Sequence, residues 1–567
     1  MLSHLFRLLL ASLLLAAAPL AAKAEAETGD TPGLVSAADP RAAEAGAEML
    51  RRGGSATDAA IATMLALTVV EPQSSGIGGG GFFLRGTADG DVISLDGRET
   101  APASARPDWF SRDGKPVPYM DAVLSGLSVG VPGNVALAAE AHRRFGRLDW
   151  AELFAPAITL ARDGFRISPR LHDFLTRYAS RAGHEAEGRA LYYDATGAAL
   201  PAGTLVLNPA LAQTFEEIAR HGPSAFYTGR LAESLAAKVK AKTPRARGME
   251  ASDLATYRAI ERPPVCGLYR LYRICGMGPP SSGATTVFAI LKQLEPFDLA
   301  ALGSTSPIAW HLIAESERLA YADRELYLAD SDFVPVPVAG LTDAAYLAMR
   351  GALISPVTAM QDVVAGIPPG AARPGADGDE AEEHGTSHFV AIDRQGNVAS
   401  YTSTIEGPFG SGLMVGGFFL NNELTDFSFS SEQNGLPVAN RVEGGKRPRS
   451  SMSPTLVYGP DGRLAMALGA AGGSTIPVQV VRALIGLIDW KLTAEQALAL
   501  PVLYAPGDTL YLEQGSALEA MAPSLVELGH ASVTARELPL KTNAAVRTDA
   551  GWTGAADPRS EGAVAAE

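Results

Sequence analysis

Along the chain, hydrophobic spacing switches between helical and alternating periods, and the switches mark out the elements. Residues 40–70 (PRAAEAGAEMLRRGGSATDAAIATMLALTVV) carry apolar side chains at helical spacing on both sides of Gly53-Gly54, which predicts two helices, with Ser55 or Thr57 placed to cap the second. Next come Glu71-Pro72-Gln73-Ser74-Ser75-Gly76-Ile77, the glycines Gly78 to Gly81, and a predicted strand, Phe82-Phe83-Leu84-Arg85. From about 135 to 260 the pattern is mainly helical and predicts an outer helical layer, and residues 309–328 read as a further amphipathic helix. Strand patterns recur at 92–95, 455–457 and 464–468. Residues from Thr386 to Ile392 alternate like a strand, turn at Asp393-Arg394-Gln395-Gly396-Asn397, and return from Val398 to Thr404. Helices flanking strands and hairpins predict stacked α/β layers with a largely antiparallel core. There is no internal repeat.

The hairpin draws attention because of what precedes it. Residues 366–384 (GIPPGAARPGADGDEAEEH) are acidic and rich in Pro and Gly, so they read as a tether unable to bury a core. With the turn centred at Gln395, Thr386 falls opposite Thr404, their β-carbons roughly 4.5–5.5 Å apart. A threonine hydroxyl is a weak nucleophile until a base activates it, and a free α-amine on the same residue serves that purpose. Cleavage of Gly385–Thr386 would create that amine. Read without its surroundings, the segment is better taken as an ordinary Thr-rich hairpin, since most such hairpins are only sheet.

Composition narrows the field. A hydrophobic fraction of 47% supplies ample core for two to four ordinary domains or one large α/β unit, and a formal net charge of −15 argues against a nucleic-acid partner. The first 24 residues pair Arg7 with an apolar run broken by Pro19 and a small-residue exit at Ala22-Lys23-Ala24, which predicts a cleavable export signal cut after Ala24 and a secreted or periplasmic protein. No other segment reads as a membrane span. Cys266 and Cys275 would face each other across a hairpin turning at Arg270-Leu271, as a local disulfide or as two buried thiols. The nine histidines show no metal-ligand spacing, and the glycines before Phe82 lack the ending of a nucleotide loop.

Three more segments carry suitable side chains. Arg98 lies just beyond a predicted strand, where a guanidinium can clamp a carboxylate, or else pair with Glu99 or Asp96 on the surface. Glu423 and Asp426 stand three apart in Asn421-Asn422-Glu423-Leu424-Thr425-Asp426 and could bind an ammonium or cap a helix. Gly469-Ala470-Ala471-Gly472-Gly473-Ser474-Thr475 runs from a strand into a helix over 476–490, and successive amides at such a junction stabilise an oxyanion, unless the glycines serve only a tight turn. Ser450 and Ser451 lie between these last two segments. Together they outline a zwitterionic ligand with an acyl carbon at Thr386.

These motifs, in this order from GGSATDAAIAT to Gly554-Ala555-Ala556-Asp557-Pro558-Arg559-Ser560, resemble the γ-glutamyltransferase family of N-terminal-nucleophile hydrolases over essentially the whole mature chain. The resemblance implies a four-layer αββα sandwich and self-cleavage before Thr386 into a heterodimer of residues 25–385 and 386–567. It also implies hydrolysis or transfer of a γ-glutamyl group from glutathione-like donors to water, amino acids or peptides, with no metal or organic cofactor. On it, Thr386 is the nucleophile and Thr404 its support, Gly472 and Gly473 form the oxyanion hole, Arg98, Ser450 and Ser451 hold the donor carboxylate, and Glu423 and Asp426 hold its ammonium.

Two departures bear on the donor. Glutathione-cleaving members carry Asn two positions after the supporting threonine, where this chain has Glu406, which adds negative charge near the substrate ammonium. Residues 427–445 are shorter than the lid of the lid-bearing bacterial members, which would leave an acyl-enzyme more open. Poly-γ-glutamate or glutaryl-type amides, as in cephalosporin acylases, therefore stand as alternative donors, and a silent amino-acid- or peptide-binding homologue as an alternative of another class.

Overall fold

A computed structural model describes residues 31–372, 376 and 385–567. The predicted export signal, and the tether apart from residues 366–372 and Ala376, lie outside the described residues.

Two antiparallel sheets form the centre. The strands of the first are β1 (Leu34–Ala37), β2 (Gly80–Gly86), β3 (Val92–Gly97), β4 (Ile260–Arg262), β7 (Ser387–Ile392), β8 (Val398–Thr404) and β13 (Ala563–Ala566), in the spatial order β13-β1-β7-β8-β2-β3-β4. Those of the second are β5 (Val265–Tyr269), β6 (Tyr272–Gly276), β9 (Thr455–Tyr458), β10 (Leu464–Ala471), β11 (Lys541–Thr548) and β12 (Gly551–Ala556), in the order β12-β11-β10-β9-β6-β5. Helices α1 (Pro40–Arg51), α2 (Ala56–Val70) and α3 (Asn134–Phe145) cover the first sheet. Helices α4 (Gly283–Leu294), α5 (Pro307–Tyr327) and α6 (Ile476–Ile488) lie on the far side of the second. The result is the four-layer αββα sandwich that the resemblance implied.

The period-two rule explains how the layers share residues. On β2, β7 and β8 the even positions Phe82, Leu84, Val390, Ile392 and Val398 pack between the sheets, whereas the odd positions Phe83, Phe389, Ala391, Ala399 and Tyr401 pack under α1 and α2. All are fully buried, each large apolar one contributing about 1.5–3 kcal/mol. The same parity sends Thr386, His388, Thr402 and Thr404 towards the inter-sheet space and Ser387 and Ser403 towards the helices.

Helix α2 starts as its sequence predicts. Ser55 caps it in a reciprocal box with Asp58, a device worth about 1 kcal/mol. Helix α5 departs from expectation. Its polar stripe faces protein, because residues 504–507 cover it: Ala505 N–H donates to Glu317, Arg318 to the Gly507 carbonyl, and Tyr504 packs edge-on against Tyr321. The cysteines of the β5–β6 hairpin face each other in register and form a disulfide. Residues 427–445 fold around a small hairpin pairing Glu432–Gln433 with Leu436–Pro437, and Phe429 stacks on Phe110 at 4.2 Å between centroids.

Candidate active site

Strands β7 and β8 pair with Ser387 opposite Ser403, the register that puts Thr386 beside Thr404. Their hydroxyls lie 3.0 Å apart and are buried. Thr404 Oγ1 also accepts the Glu406 N–H at 2.8 Å, which fixes the turn leaving β8. Thr386 N–H donates to the Ser74 carbonyl at 2.8 Å. The Glu71–Gly81 segment after α2 thus holds the candidate nucleophile by its nitrogen.

Backbone geometry at this point is strained. Thr386 has φ 120° and Glu406 φ 73°, conformations that cost a side-chain-bearing residue about 1–3 kcal/mol each. Gly385 is required by crowding: a β-carbon there would lie 1.9 Å from the Glu406 carbonyl oxygen. On the inter-sheet side His388 Nδ1 lies 2.8 Å from Thr402 Oγ1, and burial pushes its imidazole down to about 3, so it is neutral. The sheets close over this ring only because residue 469 is glycine, where a β-carbon would come within 2.5 Å of it.

Gly472 and Gly473 follow β10 at φ 133° and 59° and open the short turn into α6. The turn is clamped from below: Gln479 Nε2 donates to the Ala471 carbonyl at 2.8 Å and to Thr475 Oγ1 at 3.0 Å. Ala471 pairs with Lys541 on β11, whose ammonium reaches Ser387 Oγ at 3.3 Å. The glycine turn therefore belongs to the Thr386 end of the sheets.

The charged residues behave differently from the sequence expectation. Arg98 and the acids Glu423 and Asp426, assigned to opposite ends of a ligand, are in direct contact, with the guanidinium forming ion pairs to both. It also donates to the carbonyls of Pro448 and Arg449, at 3.2 and 2.9 Å. The reason is burial, since Arg98 and Glu423 are each 1% exposed and neither charge persists there unpaired. A third acid, Glu99, completes the cluster within hydrogen-bond reach of Glu423. Burial pushes Glu99 up to about 7 and Glu423 well above the usual carboxylate range, against the pull of Arg98. Apart from a proton shared between the two carboxyls, no donor reaches either Glu99 oxygen or Glu423 Oε2. Three acids around one guanidinium hold more negative charge than Arg98 balances, an excess that a proton shared by Glu99 and Glu423 relieves and that a bound cation would take up.

Ser450 and Ser451 come from the loop before β9. The Ser450 carbonyl accepts from Ser282 N–H and Oγ–H, both at 2.7 Å, and Ser451 Oγ accepts from Arg324 of α5 at 2.7 Å. With Arg324 filling an acceptor position, the Ser451 proton is left to donate. Glu406 is buried beside Thr404. Sequence reasoning missed Glu71, Arg324 and Lys541, and named Glu99 only as a surface partner of Arg98, whereas it is fully buried. Each is a charged residue in a buried run, a signal that says "internal partner" without naming the partner.

A buried threonine at the head of an inner strand, a glycine on its amino side, a glycine turn at the same sheet end and a helix-covered double sheet together define an N-terminal-nucleophile hydrolase. Comparison with known proteins narrows the class. Residues 42–567 match the model of the Gamma-glutamyltranspeptidase family, and the chain belongs to that family. It is 35% identical over 541 residues to the glutathione hydrolase proenzyme of Escherichia coli, covering 93% of this chain and 90% of that one. It is 36% identical over 539 residues to the acylase ACY 1 proenzyme of a Pseudomonas species, covering 94% and 92%. The crystal structure of cephalosporin acylase from Bacillus halodurans superposes with a TM-score of 0.82 at 26% identity, covering 94% of this chain and 96% of that one. No described helix is long and apolar enough to cross a membrane, and no described group of three or more His, Cys, Asp or Glu could hold a metal ion.

Proposed function

We propose that the protein is a self-processing γ-glutamyl hydrolase and transferase acting on glutathione-like donors. Cleavage of Gly385–Thr386 would free the Thr386 amine and leave a heterodimer of residues 25–385 and 386–567. Thr386 Oγ then attacks the γ-amide carbon and its α-amine takes the proton. The amides of Gly472 and Gly473 meet the oxyanion, and the amine product departs with that proton. Water, an amino acid or a short peptide completes the cycle by attacking the γ-glutamyl ester. Thr404 steadies the hydroxyl throughout.

The observation that carries the donor assignment is the excess of acid around Arg98. An α-amino acid presents ammonium and carboxylate on neighbouring atoms; Glu99, Glu423 and Asp426 are acids suited to the first, and Arg98, which meets the Pro448 and Arg449 carbonyls just ahead of Ser450 and Ser451, is suited with those serines to the second. Binding exchanges ion pairs: the ligand ammonium takes the oxygens of Glu99 and Glu423, and Arg98 and the Ser451 hydroxyl turn to the carboxylate. Glu406 adds a further acid on the Thr404 side.

A second reading, the same chemistry on glutaryl-type amides, draws on the likeness to the acylases. The two differ at one atom group, since a glutaryl chain lacks the α-ammonium. The experiment combines intact-mass and N-terminal analysis of the purified protein with kcat/KM for a γ-glutamyl and a glutaryl anilide. A fragment starting at Thr386 and a preference of at least about tenfold for the γ-glutamyl compound are expected, the least that one charge-assisted contact supplies. A preference for the glutaryl compound refutes the γ-glutamyl assignment, and an uncut, inactive chain refutes the nucleophile.

A further inference from the structure

On the helix-facing side of Thr386 lies a charged pair that the proposed chemistry does not use. Ser387 Oγ donates to Glu71 Oε2 at 2.6 Å, and Lys541 Nζ donates to Glu71 at 3.0 and 3.3 Å, to Ser74 Oγ at 3.2 Å and to Ser387 Oγ at 3.3 Å. Ser74 is the residue whose carbonyl holds Thr386 N–H, and Ser387 is its chain neighbour. The ammonium therefore stands one serine away from the Thr386 nitrogen by either route. Both ionic side chains are almost completely buried, 3% exposed for Lys541 and 4% for Glu71. A buried ion pair contributes little to stability, but charges set this close in a medium of low dielectric act strongly on a neighbouring titratable group.

Resting on the reading of Thr386 as an N-terminal nucleophile, we propose that Lys541 and Glu71 set the charge state of its freed α-amine, with Lys541 favouring the neutral, proton-accepting form and Glu71 limiting that effect. Burial pushes Lys541 down to about 8 against the attraction of Glu71, so it keeps its charge through the neutral range. Other charges act more remotely. Arg170 and Asp39 reach Lys541 from the outer helices, and Glu406 borders Gly385 through its backbone. His388, two residues along, is neutral. These groups are common to every variant below.

The test is the acid limb of kcat/KM against pH for a γ-glutamyl anilide, in matured wild type, Lys541→Met, Lys541→Arg and Glu71→Gln, with N-terminal sequencing of each. Removing the cation should move the limb up by on the order of one pH unit, removing the acid should move it down by a similar amount, and arginine should restore it. If Glu71 takes a proton once its partner is gone, loss of the cation is the whole effect and the direction holds. A Lys541→Met limb that stays put or moves down, or an unmoved Glu71→Gln limb, overturns the proposal. A merely structural pair would lower kcat without opposite shifts. Should Lys541→Met fail to mature, Glu71→Gln moving down with Lys541→Arg at the wild-type position supports the proposal, and any other pattern overturns it. A wild type without a Thr386 terminus sinks the nucleophile reading itself, an outcome distinct from a mature wild type whose variants do not shift.

Discussion

Replacing Thr404 by valine keeps the shape of the side chain and removes one hydroxyl. That hydroxyl has two jobs in the structure: it meets Thr386 Oγ1 at 3.0 Å and it accepts the Glu406 N–H at 2.8 Å. The first is kinetic. When Thr386 gives up its proton, its hydrogen bond with Thr404 becomes charge-assisted and contributes about 1.5–3 kcal/mol. At 1.36 kcal/mol per tenfold, its loss lowers kcat/KM by roughly 10- to 160-fold. The second is structural. A buried N–H left without an acceptor costs about 1–3 kcal/mol, here at a residue already held at φ 73°, so the urea midpoint should fall as well. Thr404→Ser keeps both bonds and should stay within about threefold of wild type, a change worth under 1 kcal/mol. The assay is steady-state turnover of a chromogenic γ-glutamyl anilide by protein whose mass shows complete cleavage, with the rate of cleavage followed separately. A mature valine variant as active as wild type would refute the pairing argument. A serine variant as poor as valine would show that the methyl group, not the hydroxyl, matters.

Two other outcomes follow from the site. Because burial raises Glu99 to about 7, it is protonated below that pH and ionised above it. KM for an α-ammonium donor should therefore fall about three- to tenfold as pH rises through 7, the worth of one partly screened charge, and Glu99→Gln should flatten the dependence. The same raised value withdraws stability from the ligand-free protein as pH rises from the unfolded carboxyl's range, about 4.3, towards 7. An unchanged profile in the glutamine variant would remove Glu99 from the donor site. At the cleavage point, Gly385→Ala pushes a methyl group against the backbone carbonyl of Glu406, which no rotamer change relieves. Intact mass should show chain that stays largely uncut for many times the wild-type maturation time, and cleavage at the normal rate would contradict the packing described for Gly385.

Much of this was legible in the sequence because the signals were local. Ser55 ahead of an apolar helix, the β7–β8 turn centred near Gln395 and the cysteines flanking a two-residue turn each depend on neighbours a few positions away, and each element formed where its pattern placed it. What escaped was set by distant chain. The polar stripe on α5 reads as a solvent face until residues 504–507 lie over it. Lys541 and Glu71 are hundreds of positions apart, and no periodicity joins them. The Arg98 cluster shows the same limit: a sequence lists a cation and two anions as complements for a ligand, but not that, before any ligand arrives, they are one another's best partners.

The strand order carries a consequence for a chain cut before Thr386. The first sheet would draw β1 to β4 from one piece and β7, β8 and β13 from the other, with β1 inserted between β13 and β7 and β8 flanked by β2; in the second sheet β6 pairs with β9 across the same division. The pieces are braided rather than docked. Parting them means unzipping four ladders and opening both cores, so subunit exchange and denaturation become a single event. The cut then cannot work as a reversible switch: each molecule is armed once, and its working life ends only when the whole weave comes undone.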